Sequence, residues 1–188
     1  MGNVSLKPLN ALLGADPRSE TVGAVTISEN AGIALASLAT RRGQADRVAA
    51  VAKGMGLDLP GPGRASFSAP YAALWLGPDQ WLIMAGLDAD QDIAGALEAT
   101  FGPAASITEQ TGGWVCLDVT GPILPALFER LCAVDSAAMK PGHGTRTVIE
   151  HLGCYVICID AARFRLFGPR SSAASLHHAL TTAARAIA

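Results

Sequence analysis

Charge is scarce in this chain: 16% of its 188 residues are Asp, Glu, Lys or Arg, and the formal net charge is −2. A surface that tracks phosphates needs a dense basic face. The 14 Lys and Arg are instead scattered, and the nearest approach to a cluster is Arg41, Arg42 and Arg47 at an expected strand–helix junction. Nucleic acid is therefore not an expected partner. No apolar run approaches the roughly 20 residues that a membrane helix needs. The opening stretch MGNVSLKPLNALLG carries one Lys and a broken apolar segment with no small-residue cleavage site, so it does not read as a signal peptide. These absences leave a cytoplasmic protein with no membrane partner as the expectation.

Catalytic signatures are missing as well. There is no GxxxxGK run followed by Ser or Thr, no GxSxG, no HExxH, and no GxGxxG between a strand and a helix. The four cysteines, Cys116, Cys132, Cys154 and Cys158, each lie in an apolar segment and read as small buried hydrophobes. His151, Cys154 and Cys158 would share one face of a helix and could there hold a metal. The run Tyr155–Ile159 is β-branched and aromatic, however, and in a strand positions four apart are about 13 Å apart, too far for one ion. No metal site is expected.

What is present is material for a core. Half the residues are hydrophobic, and a chain of this length buries about 70% of its unfolded surface. The first twenty residues, broken by Pro8, Gly14 and Pro17, read as an irregular arm, and residues 21–188 as a single α+β domain. Strands are expected over Thr21–Ser28, Gly32–Ala39, Ser106–Gln110, Trp114–Val119, Arg146–Glu150, Cys154–Asp160 and Arg163–Phe167. Trp75 and Trp81 bracket Gly77-Pro78-Asp79, in which Pro78 fixes φ, and this stretch reads as a hairpin. Helical period appears over Gln44–Met55, then through Ile93, Ala94, Leu97 and Phe101 after a cap at Asp90 or Asp92. It returns from Ile123 to Cys132, and after Ser171 or Ser172 with Leu176, Leu180, Ala183 and Ile187. Strand pairs followed by helices predict largely antiparallel sheets with helices packed on one side. His177 and His178 are expected on the surface of the last helix.

Candidate site residues are few. His143 lies between two glycines in a loop, where backbone approach to a ligand is possible. Glu109 precedes the Thr111-Gly112-Gly113 turn and is placed to face a ligand as a carboxylate. Set against these readings, a solvated turn histidine and a half-exposed strand-end glutamate are the commoner outcomes. Taken alone, the two residues give no catalytic constellation.

Read in order, WLGPDQWL (75–82), GGWVCLDVTGP (112–122), ALFERLCAVD (126–135) closing a helix, PGHGTRT (141–147) and RFRLFGPRSSAASLHHAL (163–180) resemble the gamma subunit of heterotetrameric sarcosine oxidase. The resemblance rests on Trp75, Gly77, Pro78, Asp79, Trp81, Gly113, Trp114, Gly121, Leu131, Cys132, Asp135, Pro141 and Gly142, and it spans roughly residues 20 to 185. It implies a fold like the folate-binding domain of the glycine-cleavage T-protein. It also implies a non-catalytic role beside alpha, beta and delta subunits, in an oxidoreductase acting on CH–NH donors. That complex demethylates sarcosine oxidatively to glycine, with hydrogen peroxide and methylenetetrahydrofolate as the other products. FAD, FMN, NAD, zinc and tetrahydrofolate would belong to the other subunits, with none bound by this chain. The alternative reading is a stand-alone folate-binding protein or one-carbon (aminomethyl) transferase.

Overall fold

The computed structural model describes residues 9–89 and 91–188. The first eight residues of the expected arm, and the cap offered by Asp90, lie outside the described residues. Eleven strands and four helices follow in the order β1 (Ser19–Val22), β2 (Val25–Glu29), β3 (Ile33–Thr40), α1 (Ala45–Gly54), β4 (Ala65–Phe67), β5 (Ala72–Gly77), β6 (Gln80–Gly86) and α2 (Ile93–Phe101). The chain continues with β7 (Ala105–Glu109), β8 (Trp114–Thr120), α3 (Leu124–Glu129), β9 (Gly144–Ile149), β10 (Leu152–Asp160), β11 (Arg163–Pro169) and α4 (Ala173–Arg185).

The strands form two sheets, one in the order β1-β2-β8-β11-β10-β9 and the other β4-β5-β6-β3-β7. Every strand pair is antiparallel. Strand alternation decides what each face meets. Along β8, Val115, Leu117 and Val119 turn to α3 and α4, where they join Leu124, Phe128, Leu176 and Leu180. Along β3, Ala34, Ala36 and Leu38 turn to α1 and α2, against Val48, Leu97 and Phe101. The opposite faces pack on each other through Leu35, Leu74, Leu82 and Met84 from one sheet and Cys116, Ile157 and Phe167 from the other. Each large side chain buried there contributes ~1.5–3 kcal/mol. The molecule is thus α+β, with helices on one side of each sheet, as expected.

The segment Pro141–Gly144 fastens the two sheets along one side. Ala65 N–H donates to the Gly142 carbonyl at 2.8 Å, and Gly144 N–H to the Gly63 carbonyl at 3.0 Å. Gly142 N–H donates to Cys158 at 3.0 Å, and Cys158 N–H to His143 at 2.8 Å. One short loop is therefore hydrogen-bonded to β10 and to the entry of β4. Glycine is required here: Gly142 has φ +81°, and a Cβ on Gly144 would stand 2.5 Å from Leu74 Cδ1.

Three expectations are corrected, and one connection is added to them. Thr21–Ser28 is not one strand but the hairpin β1–β2, turned at Gly23-Ala24, where Gly23 has φ +56°. β7 and β8 do not lie side by side. They belong to different sheets, and Thr111–Gly113 is the crossing between them. The helix expected to run through ALFERLCAVD stops at Glu129, although Leu131 and Cys132 still pack on the core as loop residues. His177 is buried at 5% exposure, while His178 is exposed. The α2 cap is made by Asp92, whose side chain accepts from Gly95 N–H. Ser172 does hold the N-cap position of α4, but its side chain makes no capping hydrogen bond.

Candidate functional site

The β5–β6 hairpin places Trp75 directly opposite Trp81. Asp79 takes the left-handed conformation that closes the turn, with φ 58°. Gly77 pairs with Gln80 across a one-residue irregularity after Trp75, and Pro78 leads into the turn. Trp81 packs against the core under α1 and α2, and its Nε1–H donates to the Pro60 carbonyl at 2.8 Å. That bond fixes the indole as one wall of a surface groove of about 540 Å³, shared with Val48, Ala49, Leu57, Leu59 and the Lys53 side chain. The groove is mostly apolar with few polar groups, the usual make-up of a surface that takes an apolar ligand or partner.

The other signature residues are dispersed. Trp114 packs on Tyr155 with ring centroids 5.6 Å apart, and its Nε1–H donates to Gln110 Oε1 at 3.2 Å. Gly113 N–H donates to the Gln110 carbonyl in the crossing between sheets. Gly121, at φ +152°, has no room for a side chain because the Ala24 carbonyl occupies the space. The Asp135 carboxylate accepts from Ala138 N–H at 3.1 Å and closes a local turn, and Pro141 with Gly142 belongs to the inter-sheet fastening.

Glu109 and His143 are not brought together. The Glu109 carboxylate accepts from Thr111 N–H at 2.6 Å and caps the crossing turn from an exposed position. Thr111 is itself tied to β3, receiving Leu35 N–H on its hydroxyl at 2.9 Å. His143 is half-buried, with its backbone pairing with Arg64 and Cys158. Among the described residues, no group of three or more His, Cys, Asp and Glu is placed to hold a metal ion. Nor do the buried Cys116 and Cys154 thiols resemble nucleophiles. Burial pushes Cys116 up, and Cys154 up to about 11.

Three polar clusters carry no sequence motif. Asp118 on β8 and Arg165 on β11 face each other in register, with Arg165 Nε and Nη2 donating to the two carboxylate oxygens at 2.7 and 2.9 Å. Asn30 Nδ2 adds a third bond to Asp118 at 3.0 Å. Burial raises the Asp118 carboxyl, but the Arg165 and Asn30 bonds outweigh it and hold the group below its ordinary value. The second cluster is the buried Glu29 carboxylate, which accepts N–H bonds from Ala11, Leu12 and Arg18 and so clamps the arm at residues 11–18. In the third, His177 Nε2 lies 3.7 Å from Glu20 Oε2, which also receives Arg18 at 2.7 Å. Partners such as Asp118 and Arg165 are 47 residues apart, so spacing gave no signal. His177 was readable in principle, since it falls on one helical stripe with Ala173, Leu180 and Ala184.

No protein-family model and no curated protein sequence matches the chain. Among solved structures it is similar to a chain of heterotetrameric sarcosine oxidase from Corynebacterium sp. U-96 in complex with pyrrole 2-carboxylate. The TM-score is 0.72 at 21% identity, over 85% of this chain and 83% of that one. It is also similar to the glycine cleavage system aminomethyltransferase T from Bartonella henselae. There the TM-score is 0.61 at 14% identity, over 88% of this chain. This chain spans only 50% of the length of that aminomethyltransferase. Identities of this size establish shared architecture and not shared chemistry. The chain has the two-sheet α+β fold that these two proteins have in common.

Proposed function

We propose that this chain is a non-catalytic, gamma-type subunit of a heterotetrameric sarcosine oxidase, working in the cytoplasm beside alpha, beta and delta subunits. The observation that carries the reading is the end-to-end fold likeness to a chain of such an enzyme, 85% of one chain and 83% of the other. The likeness to the aminomethyltransferase leaves half of that protein unmatched, which supports the stand-alone transferase less well. The character of the polar residues points the same way. Glu109, Glu29 and Asp135 spend their carboxylates on backbone N–H groups of the chain itself, which is structural work. On this reading flavin, NAD, tetrahydrofolate and zinc are held by the partner subunits, and this chain contributes to their assembly.

Co-expression with the alpha, beta and delta subunits of a sarcosine oxidase tests the reading. The expected result is one complex that retains this chain through affinity purification and gel filtration. The chain eluting alone, with an active complex formed without it, would remove the assembly role.

A further inference from the structure

The Arg165–Asp118 pair does more than join two strands. Arg165 is one wall of a cleft of about 260 Å³ between the two sheets, formed with Ile33, Phe67, Ala72, Met84 and Gly86. The side-on geometry occupies Nε and Nη2 of the guanidinium, and Nη1 makes no hydrogen bond to the described residues. Its orientation is fixed from behind, because Asp118 is itself held by Asn30 at 3.0 Å. A partly buried ion pair is weak evidence for stability by itself, since desolvation offsets most of the attraction. A guanidinium held side-on by a carboxylate in the wall of a cleft of mixed polar and apolar lining is, in contrast, a ready receptor for a planar anion. Phe67, which also lines the cleft, is 48% exposed, one of few large apolar side chains left in solvent among the described residues.

We propose that this inter-sheet cleft binds a small monocarboxylate with an apolar body. The carboxylate is held by Arg165, and the body lies between Met84, Ile33 and Phe67. Size and charge set the class. The cleft is slightly smaller than the ~300 Å³ at which pockets for drug-sized ligands begin, which limits the ligand to a single ring or a short chain. Asp118 neutralises much of the Arg165 charge, so a monoanion is attracted by the remaining N–H edge, while a dianion such as phosphate meets the Asp118 carboxylate nearby. Ile33, Met84 and Phe67 supply apolar contact, and among the described residues no second cation lines the cleft as a phosphate would need. This site involves neither Glu109 nor His143, and it stands whether or not the chain assembles into an oxidase.

Benzoate is the probe, titrated into the full-length chain and followed by the Arg165 Nε–H and Gly86 amide resonances, with benzamide and inorganic phosphate as controls. Saturable shifts at both groups with benzoate are expected, with benzamide and phosphate each about tenfold weaker or more. The double variant Asp118→Asn/Arg165→Gln keeps neutral hydrogen bonding between the strands and is expected to lose benzoate binding while retaining its circular dichroism spectrum. Phe67→Ala, at an exposed position, serves should the double variant not fold, and it is expected to weaken benzoate severalfold. No saturable shift in the wild-type chain would overturn the proposal. So would equal binding of benzamide or phosphate, or unchanged affinity in the double variant or in Phe67→Ala.

Discussion

At the scale of single residues, His177 is the side chain whose state depends most on its surroundings. Burial first, and the Arg18 guanidinium second, hold its imidazole below the ordinary value of 6.5, despite attraction from Glu20 and Glu29. The unfolded chain therefore takes up this proton at higher pH than the folded one. Linkage then gives the sign: the contribution is fully present above about pH 6.5 and is lost as pH falls through the folded-state value. Urea unfolding at about pH 7.5 and about pH 5.5 is expected to show the wild type losing stability toward acid, and His177→Phe losing measurably less. Equal losses in the two proteins would show that His177 does not titrate as its burial demands. The Asp118–Arg165 pair adds a second acid-sensitive contribution, present above the ordinary carboxylate range and lost below it, because the Asp118 pKa is lowered.

At the scale of elements, the two-tryptophan hairpin and the Pro141–Gly144 loop do different jobs. Trp81→Ala removes packing beneath α1 and α2 and frees the Pro60 carbonyl, and it is expected to cost about 2–4 kcal/mol in chemical denaturation. Trp75→Ala is expected to cost less, since among the described residues it is Trp81 whose indole N–H is tied to a backbone carbonyl and no such bond is made by Trp75. Equal costs would contradict this division between the pair. Gly144→Ala presses a methyl against Leu74 and is expected to cost about 1–3 kcal/mol by overpacking. A neutral result would mean that the fastening loop shifts freely.

The elements also show how far the sequence could be read. Helices α1, α2 and α4 and most strands were legible because apolar spacing reports periods of 3.6 and 2 directly. The β1–β2 turn was hidden, because Thr21–Ser28 remains strand-like in composition through Gly23-Ala24. The end of α3 was hidden for a related reason: Leu131 and Cys132 continue the apolar period, and they pack on the core without being helical. Sheet membership depends on pairings between distant strands, such as β2 with β8, to which local spacing is blind. The same blindness covers the inter-sheet cleft, whose walls come from segments around residues 33, 67, 84 and 165. Glu109 and His143 were visible as unusual residues, yet the structure uses the first to close a turn and the backbone of the second to join sheets.

At the scale of the molecule, two antiparallel sheets pack face to face, each backed by two helices, and the carboxylates of Glu29, Glu109 and Asp135 bond the chain's own backbone. Among the described residues, no helix is long and apolar enough to cross a membrane. The proposed assembly role is supported by the fold likeness over 85% of the chain. The direct measurement is the composition and mass of the complex recovered when this chain is co-expressed with alpha, beta and delta subunits of a sarcosine oxidase. One stable assembly containing one copy of each chain is expected, and it falls apart or loses yield when this chain is left out. Recovery of this chain as a free species that binds tetrahydrofolate saturably, beside an oxidase complete without it, would contradict the account.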